Sequence, residues 1–368
     1  MDRAHLWLGS VLTMVSLLAL AGGNEPALFQ IRQGDQIGLS DRSGKVIVPP
    51  EFREAPTIGD PLIRVRKGTR TAYYAHDGTL VIPPQEELTE PYTEGLAPAL
   101  LKDEGSKRLW GYVDARGTVV IPPRFQAADV FSGGLARVGV ANEWGELRYG
   151  YIGRSGKLVV AARYAKALSA RDGIGRVETE GGLRAFDTLG RDITPEGVDF
   201  VGQSVEGMIR IWSARKQGFM DATGKVVVPP NFANASDFHE GMARVWSDGK
   251  FGFIDRSGRQ VIATRFDSAE DFSDGLALVR EGEKRKFIDK TGKTVLEATW
   301  ERVSAFGDGL AAAKDGKLWG YVDKSGKWLI TPRYSYARPF WNGLAAVTDG
   351  GRSLWIERRG TIVWQAQP

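Results

Sequence analysis

The feature that most constrains this chain is a glycine that returns at a fixed interval. The glycine of a D-x-x-G turn falls at Gly44, Gly78, Gly117, Gly156, Gly190, Gly224, Gly258, Gly292, Gly326 and Gly360. The steps are 34, 39 and 39 residues, then 34 six times running. Seventeen residues after the turn glycine a second column holds Gly95, Gly134, Gly173, Gly207, Gly241, Gly275, Gly309 and Gly343, and only the first copy departs, with Pro61. Two columns in register define a tandem array, in which each unit completes its core against its neighbours. The two longer steps fit five-residue insertions near Lys102–Leu109 and Asn142–Arg148.

Within one copy, Trp110 to Val138, the residues spell out a small sheet. Stretches such as Tyr112-Val113, Phe253-Ile254 and Tyr321-Val322 set aromatic beside β-branched residues, which suit a packed pleated surface. The turn that follows recurs as Asp41-Arg42-Ser43-Gly44-Lys45 and Asp323-Lys324-Ser325-Gly326-Lys327. Asp bonds nearby backbone N–H groups there, and Gly takes the positive φ of a short hairpin with a bulge. The next strand reaches proline at Pro49-Pro50, Pro83-Pro84, Pro122-Pro123 and Pro229-Pro230, and proline, unable to donate to a ladder, is expected to end it. A linker P-x-F-x-x-A-x-x-F-x-x-G carries Phe125, Ala128, Phe131 and Gly134, with Phe232, Ala235, Phe238 and Phe266, Ala269, Phe272 as counterparts. Apolar residues at every third position predict a single helical or 3₁₀ turn whose aromatics plug the gap between neighbouring sheets.

These units resemble the WG-repeat (KWG-repeat) family of bacterial β-repeat proteins. Trp110-Gly111-Tyr112 and Trp319-Gly320-Tyr321 carry the namesake pair, and Phe251-Gly252-Phe253 and Tyr149-Gly150-Tyr151 are close variants. The resemblance covers nearly all of the chain after residue 26. It supplies no catalytic set, since the motif residues read as structural.

The predicted fold is all-β: about ten three-stranded antiparallel meanders joined by nine linkers, with the array spanning residues 27–364 and a short tail at 365–368. In register, Ala27-Leu28-Phe29 aligns with Gly134-Leu135-Ala136, so the array opens on what is the last strand of a copy in Trp-first framing. Either a curved superhelix or a propeller-like ring would satisfy the repeat. An open superhelix is favoured, because ten units exceed the blade number of ordinary rings and no strand is shared between the ends. Two smaller propellers meeting at the fifth copy are the alternative arrangement. The copies are unequal. The fifth has Leu183-Arg184 for the aromatic–glycine pair and Val198 for the linker Phe, the fourth has Gly153 and Ala161-Ala162, and the eighth has Arg285-Lys286. Residues 160–205 are therefore expected to be the least protected part of the array.

Composition narrows the function. Of 368 residues, 42% are hydrophobic and 26% charged, enough for a sizeable core. A net charge of +4 spread along the chain, without a Lys/Arg block, argues against nucleic acid as a partner. Residues 1–21 read as a secretory signal: Arg3, an apolar run from Leu6 to Ala21 and an Ala19-Leu20-Ala21 cleavage pattern. That run is short for a membrane span, so a periplasmic or secreted protein with no integral span after signal removal is expected. The chain has no cysteine, which excludes a lipoprotein anchor, disulfides and cysteine nucleophiles.

No catalytic or metal constellation stands out. His76 and His239 lie in unrelated surroundings and make no zinc pattern, and no G-x-S-x-G, phosphate loop or H-E-x-x-H is present. The turn column Asp41, Asp114, Asp187, Asp221, Asp255, Asp289 and Asp323, closed by Glu357, lacks the dense oxygen ligands of calcium and reads as turn chemistry. No cofactor is expected. One constellation exceeds what the fold demands. Arg64, Arg137, Arg176, Arg210 and Arg244 form a column, and two residues beyond the last two stand Trp212 and Trp246, on the same strand face. Such an aromatic–basic ladder suits an anionic glycan of the cell envelope, a lipid headgroup or an acidic patch on a protein; its structural counterpart is Arg lying over Trp to shield the sheet. The candidate ligand-binding residues are thus Arg176, Arg210, Trp212, Arg244 and Trp246. The reading is an exported non-enzymatic binding scaffold; a glycan-acting hydrolase in a groove of the array is the alternative.

Overall fold

The computed structural model describes residues 27–85, 90–102 and 108–366, and every regular element among them is a β-strand. The predicted signal at 1–21, most of the insertion near Lys102–Leu109 and the last two residues of the tail lie outside the described residues. Ten antiparallel sheets follow one another along the chain, and none borrows a strand from its neighbour. We number them as blades 1 to 10. Each regular blade holds the predicted meander; in blade 7 its strands are Met242–Ser247, Lys250–Asp255 and Gln260–Phe266.

The linker departs from expectation. It is extended, not helical, and in six of the ten sheets it adds a fourth strand beside the first meander strand. In blade 7 Asn234 and Ala235 pair with Trp246 and Val245. The chain then reverses in two residues, both with positive φ: Glu240 at 52° and Gly241 at 78°, closed by His239 N–H to Met242 O at 2.8 Å and its reciprocal at 3.1 Å. This is the tight turn whose twist matches a strand pair, and it explains the second glycine column. The every-third spacing of the linker thus marks two short extended pieces around a bend.

The prolines do not end their strand either. Val46–Phe52 and Val119–Phe125 run through Pro49-Pro50 and Pro122-Pro123, with a register shift beside them. They are tolerated because this third meander strand is the edge of its blade, where an outward N–H has no ladder partner and a proline blocks pairing with other chains. The irregularity also accounts for the glycine of the WG pair. A Cβ at Gly111 would lie 2.5 Å from Ile121 O, and one at Gly252 2.6 Å from Ile262 O, both backbone atoms of that strand as it dips inward. Where Lys286 or Leu354 replaces the glycine, its pairing with Glu297 or Gln365 continues in register into the next pair.

Aromatic plugs between sheets are present as predicted. Phe219 meets Phe238, Phe253 meets Phe272, Phe287 meets Phe306 and Tyr321 meets Phe340, edge to face at 4.7–4.9 Å, each from the second meander strand of one blade to the linker of the next. Burying one such ring contributes about 1.5–3 kcal/mol, and the pair geometry adds about 0.5–1.5 kcal/mol. A three-stranded meander is marginal alone, so these contacts hold the array together.

The array closes into a single ring, which corrects both the favoured open superhelix and the paired-propeller alternative. The contacts that join successive blades recur between blade 10 and blade 1. Gly78 packs on Ile47 and Gly292 on Ile262 of the preceding blade, and Gly44 packs on Val363 in the same manner. Arg256 lies against Gly207 and Arg358 against Gly309; Arg42 lies against Gly343. Trp355 stands where seven of the other blades carry Tyr or Phe, packs edge-on to Phe29 at 5.1 Å and donates Nε1–H to Gln30 O at 2.7 Å. Trp341 meets the other side of Phe29 at 5.9 Å. Closure therefore needs no shared strand. The result is a ten-bladed β-propeller.

Candidate functional site

Strand alternation gives the ring two unlike faces. The two-residue turns before the first meander strand share one face with the D-x-x-G turns. The hairpins between the first and second meander strands share the other with the interblade connections.

The turn face is committed to structure. Asp255 accepts the Ser257 hydroxyl at 2.5 Å and the N–H groups of Ser257 and Arg259; the hydroxyl bond, outweighing burial, holds its carboxyl below the usual carboxylate range. Asp221, Asp289 and Asp323 are lowered by the equivalent Thr or Ser hydroxyl. Asp41, Asp114 and Asp187 accept N–H groups in the same way. A second set links the blades: Glu206 caps the N–H groups of Glu240 and Gly241, Glu240 caps Gly275, Asp274 caps Gly309 and Asp308 caps Gly343, at 2.6–2.9 Å. Carboxylates on this face thus serve backbone N–H groups. Among the described residues no three His, Cys, Asp or Glu side chains are grouped to hold a metal ion.

The hairpin face carries the clefts. One, of about 420 Å³, lies across blades 6 to 8 and brings together three of the five residues singled out from sequence: Arg210, Arg244 and Trp246. Each arginine reaches into the following blade. Arg210 Nη1 donates to Ala235 O and Arg244 Nη1 to Ala269 O, as Arg137 Nη1 does to Ala167 O at 2.6 Å. Asp237 stands 3.4 Å from Arg210, and Asp271 stands 3.8 Å from Arg244 and 3.7 Å from His239. The arginine column therefore fastens blade to blade, and its charge in this cleft is met by acids of the linkers.

Trp212 is half-buried beside the cleft, with Arg210 over its ring at 4.8 Å and Phe200 against it at 4.9 Å. That is the shielding arrangement. Trp246 differs: it is 36% exposed, and Arg244 lies instead over Phe251 at 5.6 Å. Arg176 stands apart in blade 5. Burial lowers its pKa, and its N–H bonds the Tyr151 hydroxyl at 2.7 Å. Arg64 pairs with Glu90 at 3.0 Å.

Two further clefts follow around the ring on the same face. One of about 470 Å³ spans blades 8 to 10, with Arg280, Arg285, Arg302, Glu270, Trp319 and Tyr336 on its walls. The next, about 230 Å³, spans blades 10 and 1 and includes Tyr336, Arg338, Arg32, Trp355 and Trp364. Sequence reasoning missed the linker residues among these, Glu270, Arg302, Tyr336 and Arg338, along with Asp237 and Asp271. A helical linker gave them no common face, whereas an extended linker lines them up along the clefts. Arg285, in the place of a signature Trp, was the one visible signal. On the same face Trp144 is 77% exposed at the tip of the second insertion, its loop fixed by Asn142 Oδ1 accepting the N–H groups of Trp144 and Glu146.

Comparison with known proteins agrees with the repeat. The family model described as WG containing repeat matches residues 37–68, 110–144, 149–182, 218–251, 251–284, 287–319 and 319–352. No curated protein sequence matches the chain. Among solved structures the chain is similar to one described as a eukaryotic initiation factor, at 11% identity and a TM-score of 0.49 over 92% of this chain and 96% of that one. It is also similar to BamB from Moraxella catarrhalis, at 12% identity and a TM-score of 0.30 over 81% and 92% of the two chains. A putative TolB from Agrobacterium tumefaciens aligns at 12% identity and a TM-score of 0.27 over 49% and 81%.

Proposed function

We propose, from the premise that this chain belongs to the family of WG-containing repeat proteins, that its ring is an exported, non-enzymatic scaffold binding a protein or a cell-envelope glycan on the hairpin face. The observation that carries the reading is the cleft across blades 6 to 8. Its arginines are fixed by backbone carbonyls, with Asp237 and Asp271 standing 3.4 and 3.8 Å away, so their positions are set before any ligand arrives. Trp246 stands exposed on this fixed frame, a large flat surface whose burial by a partner needs little ordering. Trp144 offers a second such anchor, on a loop the repeat does not require.

A non-catalytic role is supported by what the carboxylates do: those of the turn face cap N–H groups, and Asp237 and Asp271 face cations. Export is supported by the signal pattern of residues 1–21, and a chain without cysteine is compatible with it. No helix among the described residues is long and apolar enough to cross a membrane.

The test is capture of envelope protein and of arrayed glycans by the purified mature chain. The Arg210→Ala, Trp212→Ala, Arg244→Ala, Trp246→Ala protein serves as the comparison. The expected outcome is a retained partner that the substituted but folded ring no longer holds. Full retention by the substituted ring would remove this cleft from the function.

A further inference from the structure

The clefts of the hairpin face differ in their charge balance. Across blades 6 to 8 two arginines face two carboxylates. Across blades 8 to 10, Arg280, Arg285 and Arg302 share the cleft with Glu270 as its one carboxylate, and the adjoining cleft adds Arg338 and Arg32 with no carboxylate in its lining. Arg285 is spoken for by Trp300 O, and Arg280 touches Gly282 O at 3.2 Å with Asp267 4.0 Å away. Arg302, Arg338 and Arg32 are exposed, and their guanidinium groups have no hydrogen-bond or ion-pair partner among the described residues. Three free forks thus stand in sequence around the part of the ring where blade 10 meets blade 1.

Tyr336 links the two clefts. It lines both and is 49% exposed, with Trp319 on the wall of one and Trp364 on the wall of the other. Neither arginine nor aromatic is required by the repeat here. Arg302 aligns with Ser268 and Asn234 of neighbouring linkers, and Tyr336 with the same positions. The two clefts, about 470 Å³ and about 230 Å³ on either side of Tyr336, each hold more than a single ion.

We propose that this track, from Arg302 over Tyr336 to Arg338 and Arg32, binds a linear glycan bearing carboxylates, such as a uronic-acid oligosaccharide. The inference deepens, and rests on, the reading of the ring as a binding scaffold. A uronate sets its carboxylate on a rigid ring with an apolar face. One ordered unit can then stack on Tyr336 and present two oxygens to a guanidinium fork. An acidic peptide offers the same charge on flexible stems, each of which loses rotamer freedom on binding. The track spaces its cations along an arc, which matches charges repeated along a polymer.

Calorimetry with trigalacturonate on the full mature ring tests this directly. Binding should be seen at about 50 mM NaCl and weaken as salt rises toward about 300 mM. The neutral maltotriose should not bind. The Arg302→Gln, Arg338→Gln ring should lose about tenfold in affinity or more. Both side chains are exposed and unpaired, so its unfolding midpoint should stay with that of the parent. Lys225→Gln, which removes a cation from a turn-face loop, should bind as the parent does. Affinity unchanged in the double variant, or lowered equally by Lys225→Gln, would overturn the site. Hexaglutamate binding as tightly as trigalacturonate would overturn the ligand class. Absence of trigalacturonate binding by the parent would overturn the inference while leaving the scaffold reading to the extract capture, which does not depend on uronates.

Discussion

Blade 5 and blade 7 occupy equivalent places in one ring and are built by different means. Blade 7 has the aromatic pairs and the signature glycine: Phe253 against Phe272, Phe238 against Phe219, Gly252 under the inward dip of Gln260–Phe266. Blade 5 has almost none. The positions that should carry its aromatic pairs hold Ala170 opposite Tyr151 and Ala185 opposite Ser204. Its third meander strand is reduced to one bridge, Phe186 to Asp192. Aliphatic packing replaces the rings, since the cluster running from blade 5 into blade 6 is Ile174, Ile193, Val198, Val201, Ile209, Ile211 and Met220 with Ala185. Tyr151 spans the other interface by hydrogen bonding, donating to Leu168 O at 2.6 Å while taking the Arg176 N–H. The lesson is that the ring requires a filled gap between blades and tolerates more than one filling. It also shows why the degenerate copy was no seam between two rings: its neighbours still reach across it.

The largest difference should come from emptying the gap. Phe253 is fully buried and touches Phe272 at 4.9 Å, so Phe253→Ala should cost about 3–5 kcal/mol. Ile209→Val at the aliphatic interface should cost about 0.5–1.5 kcal/mol. Chemical denaturation of both variants checks the ratio. Equal losses would mean that the aromatic interfaces hold no special share of the stability.

Next comes local opening. Blade 5 lacks two ring pairs and most of an edge strand, so its amides should exchange faster than those of blade 7. Missing one buried pair is worth about 2–3 kcal/mol, which is about a hundredfold in exchange. Hydrogen exchange read by mass spectrometry should rank Ala167–Phe186 well above Met242–Phe266. Slowest exchange in residues 160–205 would show that the aliphatic cluster and the Tyr151 bonds compensate fully.

The same contrast explains what could be read from sequence. Strands, turns and the count of units were legible, because glycines with positive φ at Gly44 and Gly241 and alternation at Tyr112-Val113 are local demands of the backbone. Closure was not, since Gly44 on Val363 and Trp355 on Phe29 join opposite ends of the chain, and a repeat has the same sequence whether or not its ends meet. The linker was misread because Phe125, Ala128 and Phe131 satisfy a three-residue spacing whether the chain coils or bends between two strands. That one error hid most of the candidate site, for Asp237, Asp271, Arg302, Tyr336 and Arg338 all sit in linkers. The ladder of Arg210 and Arg244 was legible as a column, but its partners, the Ala235 and Ala269 carbonyls of following blades, were not.

The smallest effect concerns the glycine that defines the repeat, and it separates backbone demand from sequence habit. In blade 7 a Cβ at position 252 would sit 2.6 Å from Ile262 O and 2.7 Å from Thr264 N, both backbone atoms that can retreat only by undoing the dip. Gly252→Ala should therefore cost about 1–3 kcal/mol, although alanine is the better strand residue in the abstract. In blade 5 the third strand keeps only its bridge at Phe186 and Asp192, and Arg184 fills the place of the glycine, paired with Asp192 at 2.8 Å on a part-exposed surface. Restoring the family residue there, Arg184→Gly, should stabilise nothing. It loses a weak ion pair and adds backbone freedom to the unfolded chain, a cost of about 1 kcal/mol. If Arg184→Gly raised the unfolding midpoint, the glycine would be favoured for something other than room beneath the dipping strand, and the account of the signature pair given by Gly111, Gly252 and Gly320 would fail.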